Sequence, residues 1–595
     1  MLEVERYLTL YQRFAGELGA GATVEAALEQ VSDALYCTER NAKLILRKLT
    51  EKGYIEWKAG RGRGNRSRIT FREDREALLL DLSRAYAEDG EYNKAFYLLQ
   101  TFGEGTAASE KFMEWMNGTF GFHKQQGTLA DVLRLPIKKP MVTLDPAEVI
   151  FSFDAHLIQQ VWDRLVVLEE NTGRILPAIA HEWECNEDAT MWTFHLRKSV
   201  LFHDGTELTA ADVVYTIQRL RSGKQNSWIV RSLSRIEAVS ERVVRFHFAK
   251  SNWLFIKFAC SVLMSILPSG LRGQTEEQFW KHPIGTGPFK IEERAEGKLL
   301  LEANAAYYHT RPLLDRVEIV QVPQHDVLKA DAARWKQLIS DPNQPDLPDL
   351  SEDNGWIKIE SNNVCTSMLS WNMQRNGLHK SEQFRSIVDR LIDRNRMIRE
   401  LGGHRYSPAN GFFPSAAGSA EVDEASSDEE LRHLITQYGF DQSPVTLCSL
   451  VGHQEDVQWI QRRCMEYGIQ LQIRIESADK LYRIQSEIDA VYHALVFPED
   501  EVSLIESLEQ EDSFLSCMVS PEHVVWIRNR LDDALACAKS ADRMAIYTEI
   551  EAKLRAEHQV LFMLHTRFNT DYHPSLKGVR INTLGWIDFK HIWRA

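Results

Sequence analysis

Over residues 3–18, Leu2, Tyr7, Leu8, Leu10, Tyr11 and Phe14 recur at near-helical spacing and predict a first amphipathic helix. A short second helix is expected from Thr23, with Val24, Ala27, Leu28 and Val31 as its apolar positions. A third begins after Thr38 as N-cap, carries Ala42, Ile45, Leu46 and Leu49 on one face, and ends at Gly53. That stripe turns Arg40, Lys43 and Arg47 to the opposite, solvent side. Two β-rich runs, Tyr54–Trp57 and Ile69–Phe71, flank a Gly/Asn-rich turn and read as a hairpin. Three helices followed by a basic hairpin make a winged helix over residues 1–74. Apolar stripes at Leu78, Leu82, Tyr86 and at Ala95, Phe96, Leu99 predict a helical connector over 75–127, with the boundary between Gly118 and Gly127. From Leu133 strands and helices alternate to Ala595, which makes residues 128–595 an α/β body. The segments 341–354 and 414–429 read as polar loops, and no internal repeat is visible.

Charge sharpens this division. The net charge of −15 hides an asymmetry, because Arg40 to Arg72 holds eleven Lys or Arg against two acids, a local +9. A basic N-terminal module on an acidic body fits a double-stranded DNA partner. On the third helix, Arg40, Asn41, Lys43 and Arg47 can enter a major groove, where Arg pairs with guanine and Asn with adenine. In the hairpin, Arg61, Arg63, Arg66 and Arg68 are separated by glycines that let the backbone approach the duplex, with phosphates or a narrow minor groove as their targets. Gly60, Gly62 and Gly64 are not a dinucleotide fingerprint, since the spacing is wrong and a strand follows.

Composition removes other classes. The chain is 44% hydrophobic and 10% aromatic, which excludes a disordered protein. Its eight cysteines include no C-x-x-C pair, so no zinc or redox site is expected, and no cofactor. The N-terminus lacks an apolar signal core and no run of about 18 apolar residues occurs, so a cytoplasmic protein without membrane contact is expected. His203-Asp204 has no tied nucleophile, and an enzyme is not expected.

The run Cys37-Thr38-Glu39-Arg40-Asn41, Leu46, Leu49, Gly53-Tyr54-Ile55-Glu56-Trp57 and Gly62-Arg63-Gly64-Asn65-Arg66-Ser67-Arg68-Ile69-Thr70-Phe71 resembles the N-terminal domain of SgrR-type regulators. The resemblance covers about the first hundred residues and implies DNA binding, with Thr38, Asn65 and Ser67 joining the basic residues. Tyr54 stands where that family leads one to expect Trp.

The body resembles the family 5 solute-binding proteins of peptide and nickel importers. The resemblance is carried by Leu144-Asp145-Pro146, Val161-Trp162-Asp163-Arg164-Leu165, Phe202-His203-Asp204-Gly205-Thr206, Gly285-Thr286-Gly287-Pro288-Phe289, Asn304 with Tyr307-Tyr308, and Trp371-Asn372-Met373. It implies a two-lobed, type II periplasmic-binding-protein-like domain that closes over a small solute: a sugar, a sugar phosphate or a peptide. Trp371 and Asn372 then lie on a lobe-crossing strand, Trp253 on the small-domain side, and Arg405 and Tyr406 in a loop of the second lobe. Arg can hold a phosphate or carboxylate, and the two tryptophans either stack on the solute or pack in the core. Where peptide binders of the family carry an acidic Asp-Tyr-Pro-Asp-Pro-like stretch, this chain reads Phe497-Pro498-Glu499-Asp500, a departure that counts against a peptide. The expectation is a one-component, ligand-sensing transcriptional regulator, with room for a homodimer. The competing reading is the substrate-binding component of a solute importer.

Overall fold

The computed structural model describes residues 2–594 apart from 17, 61–65, 118, 125–129, 138–140, 170–171, 224, 296, 323–356, 414–426, 441–442, 451, 477, 482–483, 498–500, 512, 573, 575 and 583–585. The chain divides into two compact units. The first comprises Met1–Met141, Glu292–Leu301 and Asp315–Gln337; the second comprises Val142–Ile291, Glu302–Leu314 and Leu338–Ala595.

The first unit opens with α1 (Leu2–Phe14), β1 (Thr23–Ala26), α2 (Leu28–Ala34), α3 (Glu39–Glu51), β2 (Ile55–Lys58) and β3 (Ser67–Phe71). The sequence expected a helix from Thr23. Instead Thr23–Ala26 is a strand whose β-branched Thr23 and Val24 pair with Thr70 and Ile69 of β3. The short window Thr-Val-Glu-Ala suits a strand as well as a helix, and a partner distant in sequence decides it. The three strands run β1-β3-β2, and α2 starts only after Ala27. Tyr7, Tyr11, Tyr54 and Phe71 form an aromatic core beneath this sheet, with Ile45, Leu46 and Leu49 of α3 beside it.

Three further helices, α4 (Arg75–Glu88), α5 (Tyr92–Phe102) and α6 (Ala108–Asn117), share that core. β4 (Gly121–Lys124) and β5 (Asp131–Ile137) belong to a five-stranded sheet whose order is Phe289–Ala295, Lys298–Ala303, Arg316–Gln321, β5, β4. Arg316–Gln321 runs parallel to β5, and its Val320, with the following Val322, completes the core under the helices. Tyr92 of α5 donates its hydroxyl to Glu318 (3.1 Å), which also accepts Arg134 Nε from β5 (2.8 Å). Helices α4–α6 and this sheet therefore form one packed body, which extends past the expected connector.

In the second unit, a four-stranded antiparallel sheet has the order Leu233–Ser240, Val243–Phe248, Met191–Leu196, Ala180–Cys185. Helix Ala210–Ser222 packs on it, opened by a capping box in which Thr209 N donates to Asp212 (2.8 Å). Gly285 and Gly287 pass against Val161–Trp162 so closely that an added Cβ would sit 1.9 Å from Val161 O at Gly285 and 2.5 Å from Val161 C at Gly287. A second lobe is built on a six-stranded sheet ordered Arg405–Pro408, Val560–Tyr572, Ile357–Trp371, Ala490–Phe497, Val445–Leu450, Leu471–Glu476. Its first four strands pair antiparallel and its last three parallel, over a core that includes Trp371, Phe384, Trp459 and Tyr492.

Candidate nucleic-acid interface and solute-binding seam

Helix α3 is positioned by its own ends and by one buried stripe. Thr38 is extended and its hydroxyl accepts Asn41 N (3.4 Å), while Gly53 leaves the helix at φ +80°. Ala42, Ile45, Leu46 and Leu49 are buried, so the remaining circumference faces water. Arg40, Asn41, Lys43 and Arg47 all lie there, exposed. Arg40 and Lys43 have no ionic partner among the described residues, whereas Arg47 Nε holds Glu51 Oε1 at 2.7 Å. Thr38 acts on the helix terminus.

At the root of the wing, Ser67 Oγ accepts Gly60 N (3.1 Å), a bond that ties the two ends of the hairpin turn. Arg66 is exposed, and Arg68 stands 3.8 Å from Glu25. Beside them Lys58 and Arg72 flank Glu56 and hold its carboxyl down at about 2. The remaining wing residues of the sequence reading, Arg61, Arg63 and Asn65, lie outside the described residues. Two outward side chains in this region were not anticipated: Leu44 on α3, 53% exposed, and Tyr36 in the turn before it, 97% exposed.

In the second unit, three of the five expected solute contacts have structural roles instead. Trp371 is 1% exposed, with His379 stacked on its ring and Phe384 against its edge, so its role is core packing. Asn372 donates to Gln485 O and Ile488 O (both 2.9 Å) and accepts Gln374 N, which uses its amide within the loop. Arg405 is buried against Asp456 (2.8 Å), with Glu455 and Gly402 O taking its other nitrogens. Each guanidinium nitrogen is engaged within the fold and the side chain is buried, so Arg405 faces its own lobe rather than a solute. Tyr406 is 53% exposed, and half-buried Trp253 donates its backbone N–H to Leu535 O (2.9 Å).

That last bond belongs to a seam between the lobes which sequence reasoning missed. Arg231 reaches Glu509 and Asp532 (both 2.5 Å), and Gln510 Nε2 donates to Asn226 Oδ1 (3.0 Å). Burial drives the Glu509 carboxyl above its ordinary range, against the pull of the Arg231 guanidinium. Within this same segment Gln225 Nε2 and Trp228 Nε1 are buried without an acceptor among the described residues. The two donors lie three residues apart, and an acceptor could satisfy both. Nothing in the spacing of Gln225 and Trp228 signals this in advance. His203, by contrast, accepts Gly285 N and contacts Gly287 O, which uses both ring nitrogens in the glycine crossing.

Residues 3–120 match the family described as sugar transport-related sRNA regulator, N-terminal (SgrR), and residues 174–494 match bacterial extracellular solute-binding proteins, family 5. The chain belongs to the SgrR-type family. In this family a regulator-type N-terminal domain precedes a solute-binding-like body. An uncharacterised relative, YhjP of Bacillus subtilis, is 30% identical over 99% of both chains. The HTH-type transcriptional regulator SgrR of Photorhabdus laumondii is 24% identical over 99% of this chain and 98% of its own. Among solved structures, DppA of Helicobacter pylori in complex with the peptide STSA matches at TM-score 0.68 and 19% identity, covering 78% of this chain and 98% of its own. NikA of Brucella suis in complex with Fe(III)-EDTA matches at 0.64 and 18%, covering 78% and 100%. These likenesses establish the two-lobed binding-protein fold for the body. Among the described residues no helix is long and apolar enough to cross a membrane.

Proposed function

We propose that this SgrR-type chain is a cytoplasmic transcriptional regulator. It binds duplex DNA through its winged helix and responds to a small oxygen-rich solute, a sugar or sugar phosphate, held between the lobes of its body. The observation that carries the DNA reading is the outward face of α3. Arg40 and Lys43 stand there without ionic partners among the described residues, within a segment of charge +9 on an otherwise acidic chain. Cations left unpaired on a rigid, capped helix are matched to phosphates and base edges. The reading places the protein where chromosomal DNA is. It includes no enzymatic step. The relatives named as transcriptional regulators support it, and so does the solute-binding fold of the body.

For the solute, Gln225 Nε2 and Trp228 Nε1 supply donors that a hydroxyl or phosphate oxygen would accept. The homodimer of the reading would give two half-sites about one helical turn apart in a footprint.

The test is duplex binding by the full chain across a salt series. Lys43→Ala with Arg66→Ala should weaken binding to all sequences and flatten the dependence on salt, since each lost phosphate contact releases fewer counterions. Full retention of affinity and slope would remove this interface. A chain that binds solutes and no duplex would instead be an importer-type receptor.

A further inference from the structure

Leu44 occupies the middle of the exposed face of α3. At about 100° per residue, its surface neighbours at i−4, i−3, i+3 and i+4 are Arg40, Asn41, Arg47 and Lys48. All four are exposed, and the core stripe Ala42, Ile45, Leu46 and Leu49 lies on the opposite side. A lone exposed leucine is ordinary on a protein surface. A leucine 53% exposed at the centre of a cationic, amide-bearing patch is not, because a purely solvated face would carry a polar residue there.

Tyr36 adds an independent observation. It sits two residues before the Thr38 cap, in the turn from α2 into α3, at φ 50° and 97% exposed. A bulky residue in the left-handed region is strained, and among the described residues nothing packs on this ring to compensate. The turn therefore holds an aromatic hydroxyl out into solvent beside the N-terminus of α3.

We propose that Leu44 reads a thymine in the major groove through its C5-methyl group, while Tyr36 donates its hydroxyl to a phosphate flanking the same groove. The proposal rests on the DNA-binding reading above and deepens it by naming a base. The thymine methyl is the apolar feature that the major groove presents, and an aliphatic side chain ringed by Arg, Asn and Lys is its complement. Tyrosine hydroxyls belong to the groups that fix register on the backbone without reading sequence. The two residues thus divide specificity from positioning.

The experiment uses the full chain and the duplex it recovers from a random-sequence pool. Each thymine is replaced in turn by deoxyuridine, which deletes only the methyl group. At one thymine, wild-type affinity should fall about fourfold, the worth of one buried methyl. Leu44→Ala should bind about as weakly as that and lose nothing further from deoxyuridine at the same position. Tyr36→Phe should weaken binding to the selected duplex and to an unrelated one by the same factor. Leu44→Ala should melt at the wild-type temperature, because the side chain lies outside the core. A chain that selects no duplex overturns the DNA reading and this inference together. A chain that selects one, yet shows no thymine whose methyl dependence vanishes with Leu44, overturns this inference alone. So does a Leu44→Ala variant whose defect is in the sedimentation of the free protein, which would make the face a contact between copies.

Discussion

Arg47 carries its own counter-ion, and this separates it from Arg40 on the same face of α3. The Arg47–Glu51 pair is exposed at both ends, so it contributes a few tenths of a kcal/mol at most to the helix. On the proposed DNA-binding role its larger effect falls on DNA, because Glu51 competes for the guanidinium and repels phosphate. Glu51→Gln should therefore tighten duplex binding several-fold in 0.1 M salt, and less at higher salt, by fluorescence anisotropy. Arg40→Ala should cost about 1–3 kcal/mol on the preferred sequence and relax preference at a particular position. Equal losses on preferred and random DNA would make Arg40 a phosphate contact. The outward set Arg40, Asn41, Lys43 and Arg47 was legible in the sequence because helical periodicity fixes which residues oppose a buried stripe. Arg405 and Asn372 were misread for the opposite reason. Their partners, Asp456 on another helix and the carbonyls of Gln485 and Ile488, are brought up only by the tertiary fold.

At the scale of elements, two local devices hold the interface and the body in place, and their failure should look different. Thr38→Ala removes the hydroxyl that accepts Asn41 N and should cost about 0.5–2 kcal/mol, with α3 still formed at 25 °C. Gly287→Ala places a methyl 2.5 Å from Val161 C, a backbone atom that cannot give way without moving the end of the buried helix Ser152–Val161. That variant should lose cooperative unfolding of the body in calorimetry. An unperturbed transition would mean that the crossing is looser than its geometry implies. The sequence reading placed α1, α3 and the hairpin well, because caps, turns and stripes are local. It missed β1, whose strand character comes from pairing with β3, 47 residues on at Thr23↔Thr70. It also missed the seam at Gln225–Arg231, which exists only where Glu509, Gln510 and Asp532 arrive from the other lobe.

For the molecule as a whole, buried histidines set the response to acid. Burial drives the imidazoles of His156 and His493 down to about 3 and that of His565 to about 4, against an unfolded value near 6.5. The folded chain resists protons that the unfolded chain accepts, so this stability is fully present above pH 6.5. It falls as the pH drops toward 4, by at most about 1.4 kcal/mol per pH unit for each histidine. The melting midpoint should decline between pH 6.5 and 5, above the range where the paired carboxylate of Asp389, held at about 2, begins to titrate. Replacing His493 with Gln should flatten that decline, and an unchanged profile would show that the site takes up protons without unfolding.

The central claim is that one chain couples a solute to DNA. If the body distinguishes a solute and the winged helix binds duplex, linkage requires each ligand to change the affinity of the other by the same factor. The direct measurement is the affinity of the full chain for its selected duplex, with and without a sugar phosphate that raises its melting temperature in a thermal-shift screen. A change of about five- to 150-fold is predicted, corresponding to 1–3 kcal/mol of coupling, and Trp228→Phe should reduce the solute concentration dependence without altering DNA affinity in its absence. A solute that binds tightly and leaves duplex affinity unchanged would contradict the account.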